Sequence, residues 1–126
     1  MKCLQVVETA YRATLEEQDD PVVWICHAMK GAGADLGVLL RSGAVNYAVT
    51  GQDPSGLAFG DWAQKHPPDL QGDLRALMEK RVPVYLVMED AMERGLDPET
   101  LLEGIQLLSW SEVPALMEDY DQVWHW

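Results

Sequence analysis

Val82-Pro83-Val84-Tyr85-Leu86-Val87-Met88 is a nearly unbroken run of β-branched, aromatic and aliphatic residues. A run this short fits a strand buried on both faces, as in a parallel sheet. Its proline stands at the strand start, where a missing N–H costs least. Upstream, Leu70, Leu74 and Leu77 recur at helical spacing and predict a helix from about Asp69 to Lys80. Downstream, Asp97-Pro98 pairs an N-cap with proline at the first helical position, opening a short helix to about Glu103. Ile105 to Leu108 reads as a short strand, and Ser111 caps a helix over Glu112 to Asp119. Asp121 to Trp126, with Val123, Trp124 and Trp126, closes the chain as a strand.

The N-terminal half continues the alternation. Leu4, Val7, Tyr11 and Leu15 sit three and four apart, which predicts a helix from residue 2 to about 17, ended by the polar stretch to Asp20 and by Pro21. The alternative for Lys2 to Val7 is an extra strand. Val22 to Cys26 reads as a strand, Lys30 to Gly33 as a turn, and Ala34 to Arg41 as a helix with Leu36, Leu39 and Leu40 inward. Gly43 is a natural helix stop, Ala44 to Val49 a second strand, and Thr50 to Gly56 is dense with turn residues. Strands separated by helical segments mean βαβ units. The expectation is one α/β domain over residues 1–126, a three-layer α/β/α sandwich. Its mostly parallel sheet has about five strands, and residues 1–20 form an added N-terminal helix.

Composition narrows the setting. Apolar residues make up 48% of the 126 and charged residues 24%, ordinary for a globular domain and wrong for a disordered or collagen-like chain. The uncharged run Gly43 to Gln52 is too short to cross a bilayer, and no secretion signal is seen at the start. Two cysteines, Cys3 and Cys26, cannot form a stapling framework, so a reducing, cytoplasmic setting is expected. Nine Lys and Arg against twenty-one Asp and Glu give a net charge of −12, which repels phosphate backbones and anionic lipid. Neither nucleic acid nor a membrane surface is an expected partner.

Ligands of open parallel sheets bind at the carboxyl ends of strands, which singles out two loops. In a flavodoxin-like strand order the two would be neighbours. The first, Cys26-His27-Ala28-Met29-Lys30-Gly31-Ala32-Gly33, has two glycines for a tight turn, a lysine, and a helix start beyond it. An anion or thiolate would be stabilised there. Its plain alternative is a strand-to-helix turn with a buried structural Cys26. Leu36 stands where the third glycine of a dinucleotide fingerprint belongs and no Gly-Lys-Ser/Thr follows, so no cofactor is expected.

The second loop, Glu89 to Gly95, offers the adjacent carboxylates Glu89 and Asp90, with Arg94 to balance them. Such a pair most often caps the next helix, and otherwise serves as acid and base or binds metal. His27 with Glu89 and Asp90 would suit Mn, Fe or Zn, but no metal-binding spacing is present, and no metal is expected. His66 and His125 read as structural or solvated. A Ser-His-Asp hydrolase lacks its Gly-x-Ser-x-Gly. The eighteen residues from Gly51 to Pro68 have little periodicity and hold Leu57, Phe59 and Trp62, rings expected to be buried in a lid, a subunit contact or a self-packed loop. Trp124 and Trp126, if on an edge strand, would anchor a neighbouring subunit.

Val82 to Val87 running into Ala91-Met92-Glu93-Arg94-Gly95-Leu96, then Leu102-Glu103-Gly104-Ile105, resembles the DsrE/DsrF-like family. So does the ending, Val113-Pro114-Ala115-Leu116 followed by Tyr120-Asp121-Gln122-Val123-Trp124. The resemblance covers most of the chain from Val22 onward. It implies a flavodoxin-like domain that assembles into trimers or hexamers, and a sulfur relay in which a cysteine passes a persulfide to a partner protein. Sulfur-carrying members place that cysteine after the third strand, where this chain has Glu89-Asp90.

The leading expectation is therefore a binding or accessory protein of sulfur metabolism. Its ligand, a small anion or a partner, would sit near Lys30, Gly31, Gly33 and Arg94. One alternative is a sulfurtransferase using Cys26. Another is a small hydrolase or lyase using His27 with Glu89 or Asp90.

Overall fold

The computed structural model of the chain describes residues 1–11 and 20–126. Strand β1 (Lys2–Val7) opens it, followed by helix α1 (Pro21–Gly31), strand β2 (Asp35–Leu40) and a 3-10 turn over Ser42–Ala48. A small hairpin, β3 (Ala58–Phe59) and β4 (Trp62–Ala63), precedes helix α2 (Leu70–Glu79). Then come β5 (Val84–Val87), α3 (Met88–Glu93), β6 (Gln106–Leu108), α4 (Val113–Glu118) and β7 (Gln122–His125). Five strands form one sheet in the order β6-β5-β2-β1-β7, every pair parallel. The α/β architecture expected of the sequence is the one observed.

The central strands β1 and β2 are buried from their second residue to their last. One face of the sheet packs Val7, Val38, Leu40, Val84 and Leu86 against α1, α2 and the 3-10 turn. The other packs Leu4, Val6, Leu39 and Val87 against α4 through Val113, Leu116 and Met117. Gly37 of β2 is required by that second contact: a Cβ there would lie 2.1 Å from the Tyr120 hydroxyl.

The N-terminal half differs from its reading. Lys2 to Val7 is a strand, not a helix, and residues 12–17 of the expected helix lie outside the described residues. A strand buried on both faces loses its alternation, so Leu4 and Val7 fit a helical period equally well. Val22 to Cys26 is helical because Asp20 caps the segment. Its Oδ1 accepts from Val22 N at 2.8 Å and Val23 N at 3.2 Å, with Pro21 at the first position. Residues 34–41 are largely strand β2, and 44–49 are largely the 3-10 turn. The Asp97-Pro98 helix contracts to a 3-10 turn over Pro98–Thr100. The cap of the last helix moves from Ser111 to Ser109, which forms a capping box with Glu112. Among the described residues, no helix is long and apolar enough to cross a membrane.

Candidate functional site

The helices that follow β1 and β5 and the turn that follows β2 pack on one face of the sheet, whereas α4, which follows β6, packs on the other. In open parallel sheets ligands bind where such connections part to opposite faces, which here points to the carboxyl ends of β5 and β6. Glu89 and Asp90 stand at that point, in the first turn of α3 immediately after β5.

The pair is held from both sides. Trp110, just past β6, donates its backbone N–H to Glu89 Oε2 at 2.5 Å and its indole Nε1–H to Asp90 Oδ1 at 3.1 Å. Ser42, just past β2, donates its N–H to Asp90 Oδ2 at 2.7 Å. Both oxygens of the buried Asp90 are thus engaged, and one carboxylate ties together the exits of three strands. Arg94 donates from Nη1 to the Asp90 carbonyl at 3.0 Å and so closes the end of α3.

The row continues along the same edge. Arg41 Nε, past β2, faces Glu8 Oε1, past β1, at 3.0 Å, and His125 Nε2, at the end of β7, faces Glu8 Oε2 at 3.0 Å. Backbone bonds fix Glu8 on both sides: its N–H donates to the Trp126 carbonyl at 3.0 Å and its carbonyl accepts from Ala44 N at 3.1 Å. From β6 to β7 the edge reads Trp110, Glu89 with Asp90, Ser42 with Arg41, Glu8, then His125. Five strand exits therefore carry a chain of polar contacts that mixes three carboxylates with an arginine and a histidine. Beside it, a hollow of about 160 Å³ is lined by Tyr11, Gln52, Asp69 and Gln71. A larger one of about 520 Å³ lies at the opposite edge, between Met78, Arg81, Glu103 and Gln106.

The other candidate residues lie elsewhere. Because Pro21–Gly31 is a helix that runs back against the strands, its end (Lys30, Gly31) and Gly33 sit at the amino edge of the sheet. That end of a helix presents carbonyls, not the N–H groups that favour an anion. Cys26 faces the core, fully buried, and its thiol is pushed up to about 12, by burial first and then by the nearby Cys3 and Asp20. Burial also raises the thiol of Cys3, against a hydrogen bond from Gln5 Nε2 at 3.2 Å. His27 turns to α2, with Nε2 2.9 Å from the Asp73 carbonyl and Nδ1 3.0 Å from Lys80 Nζ.

His27 is therefore not joined to Glu89 and Asp90. Among the described residues no group of three or more His, Cys, Asp and Glu could hold a metal ion. Leu57, Phe59 and Trp62, expected to be buried, are exposed on the hairpin, with the two rings stacked 6.1 Å apart.

Glu8, Arg41, Ser42, Trp110 and His125 were not singled out as site residues by the sequence. The signal that would have found them is positional: each follows, or ends, a strand of the sheet. It becomes readable only once β1 and β2 are assigned as strands.

No family model and no curated protein matches the chain. Two solved structures share its fold over nearly the whole length. The YchN protein from E. coli superposes with a TM-score of 0.73 at 20% identity, covering 100% of both chains. MTH1491, a protein of unknown function from Methanobacterium thermoautotrophicum, superposes with a TM-score of 0.61 at 15% identity, covering 98% of this chain and 97% of its own. These likenesses support the fold implied by the DsrE/DsrF-like resemblance.

Proposed function

We propose that the chain is a DsrE-like binding or accessory protein of sulfur metabolism, and that it does not itself carry sulfur on a thiol. It holds a small anion or a partner's anionic group at the carboxyl edge of its sheet. The observation that carries this reading is the exchange of chemistry at the exit of β5. Two carboxylates stand there, and both thiols of the chain are buried in the core. Carboxylates accept hydrogen bonds and cannot bond to sulfane sulfur as a thiolate does. Positive charge at the edge comes from Arg41, whose counter-ion Glu8 also contacts His125. An incoming anion competes with Glu8 for Arg41.

Thiosulfate serves as the probe, titrated while tryptophan fluorescence is followed. A saturable change is expected in the wild type. Arg41→Gln should weaken it by about tenfold or more, the worth of one charge-assisted hydrogen bond. Lys30→Gln, at the other edge, should leave it unchanged. The reading fails if no saturable change occurs, or if Lys30→Gln weakens binding and Arg41→Gln does not.

One contact favours a second reading, an acid–base enzyme. The Glu8–His125 pair has the geometry of a histidine oriented by a carboxylate, and would do the work earlier assigned to His27. Loss of turnover in His125→Gln with thiosulfate binding retained would favour it.

A further inference from the structure

We infer that the hollow at the amino edge of the sheet, between the end of α2 and the start of β6, binds a small zwitterion with an apolar body, of the size of a dipeptide. It lies at the opposite ends of the strands from the polar row, and it does not depend on what the carboxyl edge holds.

A strained residue marks the hollow. Helix α2 closes with two bonds: Arg81 N donates to the Met78 carbonyl at 2.9 Å and Val82 N to the Leu77 carbonyl at 3.0 Å. Such a closure ordinarily takes glycine at its left-handed position, yet Arg81 stands there, at φ 64°. Two other described residues with side chains, Tyr11 and Ser42, share that backbone region, and each uses its N–H to reach a buried partner, Tyr47 and Asp90. Arg81 has no such return within the fold. Its side chain is exposed and, among the described residues, makes no hydrogen bond or ion pair. Strain that no internal contact offsets points to an external one.

The lining selects the ligand. At about 520 Å³ the hollow falls within the roughly 300–1,000 Å³ of small-molecule sites. Arg81 reaches it from the connection between α2 and β5, and Glu103 from the turn before β6, so opposite charges arrive on two different elements. Among the described residues the two do not pair with each other or with anything else. The Arg81 guanidinium is a fork suited to a carboxylate, and the Glu103 carboxylate accepts from an ammonium. The carbonyl end of α2 beside them carries partial negative charge, which disfavours a bare anion and suits a ligand that brings both signs. Gln106, also exposed and without a partner, offers a donor and an acceptor to a peptide group between the two termini. Met78 and Pro83, both half-buried, supply the apolar wall. Gly104 keeps that wall in place, because a Cβ there would lie 3.2 Å from Met78 Sδ.

Backbone amide NMR shifts of the full chain, titrated with leucyl-leucine, provide the test. Saturable shifts are expected at Gly104 and Gln106. The C-terminal amide of the peptide lacks the carboxylate and its N-acetyl form lacks the ammonium. Each should bind about tenfold more weakly or worse, the contribution of one charge-assisted hydrogen bond. Arg81→Gly separates binding from folding. It should raise the urea midpoint, because glycine relieves the left-handed strain, while weakening leucyl-leucine by about the same tenfold. Absence of saturable shifts at Gly104 and Gln106, equal affinity for either blocked peptide, undiminished binding in Arg81→Gly, or a lower midpoint in that variant would overturn the inference.

Discussion

Asp90 illustrates how one residue decides what an edge can do. Its two oxygens accept from Ser42 N and Trp110 Nε1, so it acts first as a clasp between strand exits. Asp90→Ala leaves two donors without their acceptor and should destabilise the fold by about 2–4 kcal/mol, with a shift in tryptophan emission as Trp110 is released. Chemical denaturation followed by fluorescence checks both. Cys26 makes the complementary point. Its raised thiol keeps its proton in the folded state well above pH 9, whereas in the unfolded chain it ionises near 9. Above pH 9 the unfolded state therefore binds fewer protons, and stability falls as pH rises through that range. Urea midpoints at pH 7 and pH 10 should show a smaller alkaline loss in Cys26→Ala than in the wild type.

At the scale of elements, the C-terminal half was legible and the N-terminal half was shifted in type. Helix α2 was readable from Leu70, Leu74 and Leu77, all buried, and β5 from its dense apolar run. Both β6 and β7 lie where their apolar residues put them. The stretch from Lys2 to Val49 failed because its buried strands and its buried helix share one appearance, a short apolar run. Local chemistry separates them. Asp20-Pro21 is a helix start of the same kind as Asp97-Pro98, but a proline after a polar stretch equally marks a helix stop. The shift carried Cys26 into the core and sent Lys30 to the wrong edge, so half of the candidate site moved with it.

Asp20→Ala removes the cap of α1 and the acceptor of the Tyr47 hydroxyl, and should cost about 1–3 kcal/mol in denaturant unfolding. Gly37→Ala should lower the melting temperature through its clash with Tyr120, and Tyr120→Phe in that background should recover part of the loss, because the nearest atom is the hydroxyl.

For the whole molecule, the decisive fact is where the aromatic residues lie. All five tryptophans are at least 38% exposed, from Trp126 at that value to Trp24 at 62%. A domain whose cores are filled by leucine and valine has placed its largest rings outside, on surfaces suited to contact. The hairpin with Phe59 and Trp62 belongs to the same pattern. Trp62→Ala should change stability by less than about 1 kcal/mol, because the ring is not part of either core.

The proposed function requires that neither buried thiol, Cys3 or Cys26, carries sulfur. Intact mass of the native protein after incubation with a sulfane-sulfur donor tests it most directly, on the wild type with Cys26→Ser and Cys3→Ser beside it. The predicted result is no gain of sulfur in any of the three. A gain of one sulfur in the wild type that vanishes in Cys26→Ser alone would contradict the claim and make the chain a persulfide carrier.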